Sequence, residues 1–176
     1  MLKKIADFDS RVTNFWLNRR FSARSNRWLR FYVRLGDGYI WVLFSLFLFW
    51  KVGWDNFLPI LWHALTALAV SLVAYWVIKL CVKRARPFDT NPSIEAGVPP
   101  LDKYSFPSGH TMNNLAVASA VFFSAPQYGW VMVLLPLTWG LLRVYFGVHW
   151  LTDVLCGFLF GVLSFVIGHC IWILIF

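Results

Sequence analysis

The sequence predicts an all-α integral membrane protein, a bundle of five transmembrane helices preceded by an interfacial amphipathic helix. Hydrophobic residues make up 59% of the 176 residues and charged residues only 14%, which is too apolar for an ordinary soluble domain. Several apolar runs suit the roughly 30 Å hydrocarbon core of a bilayer. The 11 tryptophans suit the headgroup boundary, because indole combines an apolar ring with a polar N–H.

Residues 1–35 predict a helical segment that lies on the membrane surface. Apolar side chains recur at helical spacing among lysines and arginines, at Ile5, Phe8, Val12, Phe15, Trp16, Trp28, Leu29 and Tyr32. A mobile basic tail is the alternative, but such tails rarely keep this spacing. A sixth crossing within residues 10–35 is a further alternative, which its arginines would make costly. No cleavable signal peptide is expected, because charges interrupt the apolar stretches.

Five apolar runs follow, and each predicts one crossing. They cover residues 39–50, 57–79, 111–125, 129–146 and 150–176. A turn at 53–59 separates the first two runs, and a polar, proline-rich loop over residues 80–107 precedes the last three. We expect one membrane domain over residues 1–176. The cysteines Cys81, Cys156 and Cys170 lack metal-site or disulfide-framework spacing and predict packing roles only.

A helix start after the polar loop predicts an anion site. Ser108, Gly109 and His110 follow Pro107 and precede the third run, so Ser108 occupies an N-cap position. The unsatisfied N–H groups and the helix dipole at such a start favour a phosphate. Taken alone, these residues are more often just a cap.

Two further clusters lie at the ends of neighbouring runs. Lys79 and Arg86 close the second run, although a basic flank of a membrane helix is an alternative for them. Arg143 lies inside an apolar run, which is costly unless it faces a polar cavity. His149 and Asp153 are four residues apart, so a carboxylate can hold the imidazole, or the two can form a polar pair at a helix end. If the runs alternate in direction, all three clusters meet on one face.

The joint spacing resembles the three-part signature of the type 2 phosphatidic acid phosphatase (PAP2) family, which also includes vanadium haloperoxidases. The first part is Lys79, six residues and Arg86-Pro87, and the second is Pro107-Ser108-Gly109-His110. The third part is Arg143, five residues, His149, three residues and Asp153. The family usually has a serine before the arginine of the third part, where this chain has Leu142.

The resemblance implies a metal-independent phosphatase that acts on a membrane lipid through a phosphohistidine intermediate. It assigns His149 as the nucleophile, with Asp153 fixing its tautomer. His110 would protonate the leaving oxygen and then activate water. The phosphate oxygens would be bound by Lys79, Arg86, Ser108, Gly109 and Arg143. No metal or other cofactor is implied, because three cations take the electrostatic role that magnesium has elsewhere.

Four polar residues fall outside the signature. His63 and His169 lie within apolar runs and predict packing roles, whereas Glu95 and Asp102 predict solvated loop positions.

The resemblance suggests four substrates: phosphatidic acid, phosphatidylglycerol phosphate, undecaprenyl diphosphate or a lipid A phosphate. The residues do not choose among them. A lipid phosphotransferase with the same phosphohistidine and a non-catalytic lipid-phosphate binder are the alternative functions. The lipid bilayer is the expected partner, no nucleic acid is expected, and the oligomeric state stays open.

A bacterial inner (cell) membrane is the expected location, but two arguments on orientation conflict. The predicted face of the site carries 15 of the 16 lysines and arginines, with only Lys51 opposite. The positive-inside rule would place this face in the cytoplasm. The resemblance implies a site that faces the periplasm, and phosphate binding explains several of the cations. We therefore expect the periplasmic orientation.

Overall fold

The computed structural model describes residues 2–175, and these residues form helices and no strand. The helices are α1 Leu2–Leu17, α2 Ala23–Arg34, α3 Ile40–Val82, α4 Pro87–Thr90, α5 Gly109–Ser124, α6 Pro126–Tyr145 and α7 Leu151–Ile175. A π-helical turn, Leu35–Tyr39, joins α2 to α3. The all-α fold class is therefore confirmed for this part of the chain.

Helix α3 consists of two arms, residues 40–52 and 54–82, that meet at Gly53. The backbone of Gly53 has φ 74° and ψ 171°, in a region that glycine adopts far more readily than other residues. Helical structure continues on both sides of Gly53 and passes through Pro59. The predicted turn at 53–59 is thus reduced to one residue.

Contacts with α5 show that the two arms run in opposite directions. Along the first arm the contacts move from the start of α5 to beyond its end, in the pairs Trp41–Asn114 and Phe47–Tyr128. Along the second arm they return toward the start, in the pairs His63–Ser124 and Ser71–Asn113. The second arm therefore ends beside the N-terminus of α5.

Helix α7 packs closely against α5 and the second arm of α3 through small residues on one face. This face carries Gly157, Gly161, Ser164 and Gly168. A Cβ atom on Gly161 would lie 2.7 Å from the carbonyl oxygen of Met112, and one on Gly168 would lie 2.7 Å from the Cα atom of Ala67. Small residues allow membrane helices this close approach. The packing fixes the start of α7 beside the start of α5.

The outer surface of the bundle is apolar, as expected for a protein in lipid. Exposed apolar side chains line α3, α6 and α7, including Val42, Leu46, Val73, Val77, Leu134, Leu141, Leu159, Leu163 and Ile167. The stretch Ala23–Thr90 and helix α7 are each long and apolar enough to cross a membrane. Helix α5 has 16 residues, or about 24 Å at 1.5 Å per residue, so the count of five crossings stays a prediction.

The N-terminal segment is helical, as its residue spacing predicts, but it is divided into two helices. Helices α1 and α2 have 16 and 12 residues, about 24 and 18 Å. Both are shorter than a bilayer core, as α5 is, so the absence of a sixth crossing here stays a prediction. Helix α1 exposes Ile5, Phe8 and Phe15 and buries Asp9 and Thr13. Its location at the membrane surface remains a prediction.

The predicted polar loop over residues 80–107 contains more helix than expected. Helix α3 continues to Val82 and ends where Lys83 adopts a left-handed conformation with φ 49°. Helix α4 then begins at Pro87, whose fixed φ suits a first helical position. The irregular segments are therefore limited to residues 83–86 and 91–108.

We expect Gly161→Leu to lower the free energy of unfolding by roughly 1–3 kcal/mol, because the larger side chain would separate α7 from α5. Thermal unfolding of the detergent-purified protein measures the change. Leu159→Ile, on the exposed side of the same helix, is the control and should unfold like the wild type. Equal stability of all three proteins would contradict the close packing.

Candidate active site

A cavity of about 530 Å³ lies between α3, α5 and the residues around α6 and α7. One end is polar and is lined by Asp37, Arg86, Asp102, His110, Arg143 and His149. The rest is mainly apolar, with lining residues that include Leu48, Phe57, Ile60, Leu68, Val117 and Val121. The cavity thus joins a charged pocket to an apolar channel between helices.

The eight residues singled out from the sequence divide into two groups. Five of them line the cavity, namely Arg86, Gly109, His110, Arg143 and His149. Lys79, Ser108 and Asp153 are buried behind this lining. The structure therefore brings the three sequence clusters together, with some residues at the cavity wall and others supporting it.

His149 lies in the connection between α6 and α7 and is buried. Its Nε2 atom is 3.4 Å from Nη1 of Arg86, and its Nδ1 atom is 3.5 Å from Oδ2 of Asp153. Burial, reinforced by the positive charges of Arg143, Arg86 and Lys79, holds the pKa of His149 well below its ordinary value. The ring is therefore neutral at neutral pH, which leaves one nitrogen with a lone pair.

Asp153 is held by more groups than the sequence spacing predicts. Its Oδ1 atom accepts a hydrogen bond from Nη1 of Arg84 at 2.7 Å, and its Oδ2 atom accepts one from the backbone N–H of Trp150 at 2.8 Å. The contact with His149 Nδ1 is longer, and that nitrogen forms no hydrogen bond in the structure. The carboxylate is thus fixed independently of the imidazole beside it.

Lys79 and Arg86 share a carboxylate partner, Asp102, which the sequence predicts to be a solvated loop residue. Oδ1 of Asp102 accepts from Nζ of Lys79 at 2.6 Å and from Nη2 of Arg86 at 2.7 Å. Tyr75 donates a further hydrogen bond to Oδ2 of Asp102. The prediction that Asp102 is a solvated loop residue is wrong, because its side chain is only 12% exposed. Glu95, in contrast, is exposed as predicted.

The environment of Asp102 favours its charged form. Burial by itself raises the pKa of a carboxyl group, but the hydrogen bonds from Lys79 and Tyr75 and the charges of Lys79 and Arg86 outweigh it. The pKa of Asp102 is therefore lowered. A buried carboxylate compensates two buried cations at the polar end of the cavity.

His110 and Arg143 form a second polar group with Asp37, which lies in the π-helical turn between α2 and α3. Oδ1 of Asp37 lies 2.8 Å from Nε2 of His110, and Nη1 of Arg143 lies 3.4 Å from the same nitrogen. A carboxylate at this distance requires the Nε2 atom to carry a proton. Arg143 is 2% exposed and lines the cavity. The sequence signal for the role of Asp37 was its position between Gly36 and Gly38, directly before the first apolar run.

The start of α5 has the local geometry expected of a helix N-cap at Ser108, although the serine side chain does not cap the helix. The backbone N–H of Ser108 donates to the carbonyl oxygen of Asp153 at 3.0 Å, which ties α5 to α7. A Cβ atom on Gly109 would lie 2.9 Å from the ring of Tyr75. Only a glycine fits this position without a shift of the neighbouring side chain.

His63 and His169 lie away from the cavity and contact each other. The Nδ1 atom of His169 is 3.1 Å from Nε2 of His63, whose Nδ1 atom is 2.8 Å from the hydroxyl of Ser124. Their rings also pack against Phe123 and Phe165. These contacts match the packing role that the sequence predicts. Leu142, at the position where the signature usually has serine, packs against an apolar cluster around Phe146.

Comparisons with known proteins identify the family of the chain. The model of the PAP2 superfamily matches residues 60–174. The undecaprenyl-diphosphatase of Sulfolobus acidocaldarius is 28% identical over 148 residues, 82% of this chain and 69% of that protein. The undecaprenyl-diphosphatase BcrC of Bacillus subtilis is 33% identical over 96 residues, 54% of this chain. The chain spans only 49% of the BcrC length.

A solved structure has a similar fold. The crystal structure of a transmembrane PAP2-type phosphatidylglycerolphosphate phosphatase from Bacillus subtilis gives a TM-score of 0.71 at 23% identity, over 94% of this chain and 84% of that protein. The chain belongs to the PAP2 superfamily. The family resemblance drawn from the three sequence clusters is thereby confirmed, and the relatives compared above are lipid phosphate hydrolases by name.

We expect Asp102→Asn to destabilise the protein at neutral pH by roughly 3 kcal/mol, because Lys79 and Arg86 would keep buried charges without their counter-charge. The lowered pKa of Asp102 means that its stabilisation is fully present above the ordinary carboxyl pKa of 3.8 and is lost as the pH falls through the lower value of the folded protein. Unfolding of wild type and variant at neutral and acidic pH measures the difference, which should shrink in acid.

Glu95→Gln is the matched control, since Glu95 lies exposed in the same irregular segment. It should unfold like the wild type at neutral pH. A destabilisation by Asp102→Asn that is no larger than that of Glu95→Gln would contradict the shared ion pair.

Proposed function

We propose that the protein is a metal-independent phosphatase that releases phosphate from a membrane lipid through a phosphohistidine on His149. One observation carries the proposal: a neutral, buried imidazole lies beside Arg86 at the polar end of a cavity whose remainder is apolar. A nucleophile, cations for a phosphate and an apolar space for a lipid chain are thus combined in one cavity.

In the first step, the lone pair on Nε2 of His149 attacks phosphorus and the bond from phosphorus to the lipid oxygen breaks. The leaving oxygen takes a proton from His110. Burial lowers the pKa of His110 to about 4, and the carboxylate of Asp37, 2.8 Å from Nε2, opposes this shift by stabilising the protonated ring. Asp153 Oδ2, 3.5 Å from Nδ1 of His149, stabilises the positive charge that develops on the ring. The products are a phosphohistidine and a lipid alcohol, or a lipid monophosphate where the substrate is a diphosphate.

In the second step, a water molecule attacks the phosphohistidine while His110 accepts one of its protons. The bond between phosphorus and Nε2 breaks and the lone pair returns to His149. Inorganic phosphate leaves, and both histidines regain their starting states. The same residue therefore acts as an acid first and as a base second.

The cations would bind the phosphate oxygens as negative charge redistributes in the transition state. Arg86 and Arg143 line the cavity directly, and Lys79 adds its charge from behind them through Asp102. Fixed charges in a site that excludes water stabilise a transition state strongly, because they need no reorganisation. A mere lipid-phosphate binder would need these cations and their carboxylate partners, but not His110 and His149 beside them.

The apolar channel supports a lipid as the substrate. Its walls come from both arms of α3 and from α5, so an acyl or isoprenoid chain would lie between helices with its phosphate at the polar end. The undecaprenyl diphosphate, phosphatidylglycerol phosphate, phosphatidic acid and lipid A types all combine these two parts. We propose this class as a whole, and transfer to a second lipid is the alternative fate of the phosphohistidine.

The proposed setting is a bacterial inner membrane, with one domain of five crossings and the site toward the periplasm. The exposed apolar surface of α3, α6 and α7 supports residence in lipid. The two arms of α3 reverse direction at Gly53, which supports counting them as separate crossings.

The purified protein should release phosphate from at least one lipid of the four types with EDTA present. We expect His149→Ala to reduce this rate by about 10⁴-fold or more, as loss of a covalent nucleophile does. His169→Gln, a histidine change outside the cavity lining, should retain the wild-type rate. Colorimetric phosphate release in detergent micelles measures all three proteins.

A folded His149→Ala protein that keeps the wild-type rate would contradict the nucleophile assignment. Loss of activity in EDTA that added Mg²⁺ restores would contradict the metal-independent mechanism. Labelled phosphate recovered on a second lipid, and not in water, would favour the transferase.

We expect Leu68→Trp to raise KM for a long-chain lipid phosphate about tenfold and to leave a short-chain, soluble analogue unaffected. Leu68 lines the apolar channel, and the larger ring would occupy the space of the chain. Leu163→Trp, on the exposed face of α7, is the control. Equal KM values of the two variants for the long-chain lipid would contradict the assignment of the channel.

A further inference from the structure

The N-terminal helix α1 contributes one buried carboxylate, Asp9, whose exposure is 0%. Its Oδ1 atom accepts a hydrogen bond from the backbone N–H of Thr152 at 3.0 Å, and its Oδ2 atom accepts one from the hydroxyl of Thr152 at 2.5 Å. Oδ2 also accepts from Nη2 of Arg84 at 2.6 Å. Helix α1 is thus tied by a charged group to the first turn of α7, which carries Asp153.

Arg84 bridges two buried carboxylates. While Nη2 donates to Asp9, Nη1 of the same guanidinium donates to Oδ1 of Asp153 at 2.7 Å. The planar, forked donor set of arginine suits such a bridge, because each nitrogen points in a fixed direction. Asp153 in turn places its other oxygen 3.5 Å from Nδ1 of His149. A continuous chain of contacts therefore runs from α1 to the proposed nucleophile.

The charge balance of this group matters for the imidazole. Asp9, Arg84 and Asp153 together carry one net negative charge, because one cation is shared between two carboxylates. If Asp9 were neutral, Arg84 would compensate Asp153 completely. The carboxylate would then offer less stabilisation to an imidazolium on His149, and the guanidinium would be held on one side only. Asp9 thus affects both the charge and the orientation of the residue beside the nucleophile.

The opposite side of α1 faces outward with Ile5, Phe8 and Phe15 exposed. These apolar side chains suit insertion at a membrane surface, whereas Asp9 and Thr13 face the bundle. The helix therefore has an outward apolar side that suits a membrane surface and an inward side that contacts the start of α7.

We propose that Asp9 is a positioning residue for the phosphohistidine reaction, acting through Arg84 on Asp153 and so on His149. This inference rests on the proposed function. Among the described residues, the hydrogen-bond partners of Asp9 are Arg84 and Thr152, and neither lines the cavity. Its effect is therefore exerted on the rate of the chemical step and not on lipid binding. Helix α1 is in this way an integral part of the active site, although it lies outside all three sequence clusters.

The test compares Asp9→Asn, Asp9→Glu and Asp7→Asn in the full-length protein. Asp7 lies on the exposed side of the same helix, so its variant makes the same charge change without touching the network. We expect Asp9→Asn to lower kcat roughly tenfold or more, as loss of a supporting residue does, with KM unchanged. Asp9→Glu should restore most of kcat, and Asp7→Asn should match the wild type.

A second readout does not depend on activity. Nuclear magnetic resonance of protein with ¹⁵N-labelled histidine reports the ring nitrogens of His149, whose signals are identified by their loss in His149→Ala. We expect Asp9→Asn to shift these signals, whereas Asp7→Asn leaves them in place. Unchanged His149 signals in Asp9→Asn, or a fall in kcat that Asp9→Glu does not restore, would overturn the proposal.

The phosphatase function and the positioning role of Asp9 can be disproved separately. A wild-type protein that releases no phosphate from any of the four lipid types would remove the proposed function. The His149 signals would still decide whether Asp9 acts on this ring. If the wild type is active and Asp9→Asn raises KM with kcat unchanged, the positioning role is wrong while the phosphatase assignment stands.

Discussion

The burial of positive charge is the constraint on which the rest of the site depends. Lys79, Arg86 and Arg143 are each at most 2% exposed within a largely apolar bundle, and isolated charges in such a place are strongly unfavourable. Asp102 compensates the first two, and Asp37 lies near the third beside His110. Burial, reinforced by the same positive charges, lowers the pKa of His149 and keeps a proton off its ring. The buried setting in which the cations need partners thus also produces the neutral imidazole that a nucleophile requires.

The helical framework delivers these groups to one end of the bundle. The reversal of α3 at Gly53 returns Lys79 to the start of α5, and the close packing of α7 holds Asp153 against Ser108. Spacing within the sequence was enough to predict this convergence, since alternating runs place every second end on the same side. Helix periodicity and apolar run length also predicted the all-α class. The exact breaks were less predictable, because Gly53 alone reverses the chain and Pro59 is accommodated inside a helix.

The residues that sequence reasoning missed share a physical reason. Asp102, Asp37 and Asp9 lie 23, 73 and 75 positions from their partners Lys79, His110 and Arg84. Their spacing from those partners obeys no helical period, and each sits in a segment whose local pattern indicates a loop, a helix break or a surface helix. The residue spacing within one helix indicates which side of that helix a residue occupies. It does not specify which distant charge the residue meets, and that pairing becomes visible only when the elements are packed.

The small residues on α7 also limit which substitutions this helix can tolerate. At Gly157, Gly161 and Gly168 the added atom of any other residue would meet neighbouring backbone within 3 Å, so almost every substitution there increases volume where no space exists. On the opposite face, Leu159 and Leu163 are exposed, and one apolar residue can replace another with little effect. The two faces of α7 therefore differ in the substitutions they tolerate. The face packed inside the bundle accepts almost none, whereas the exposed face accepts most apolar residues. The boundary between them follows the helical period.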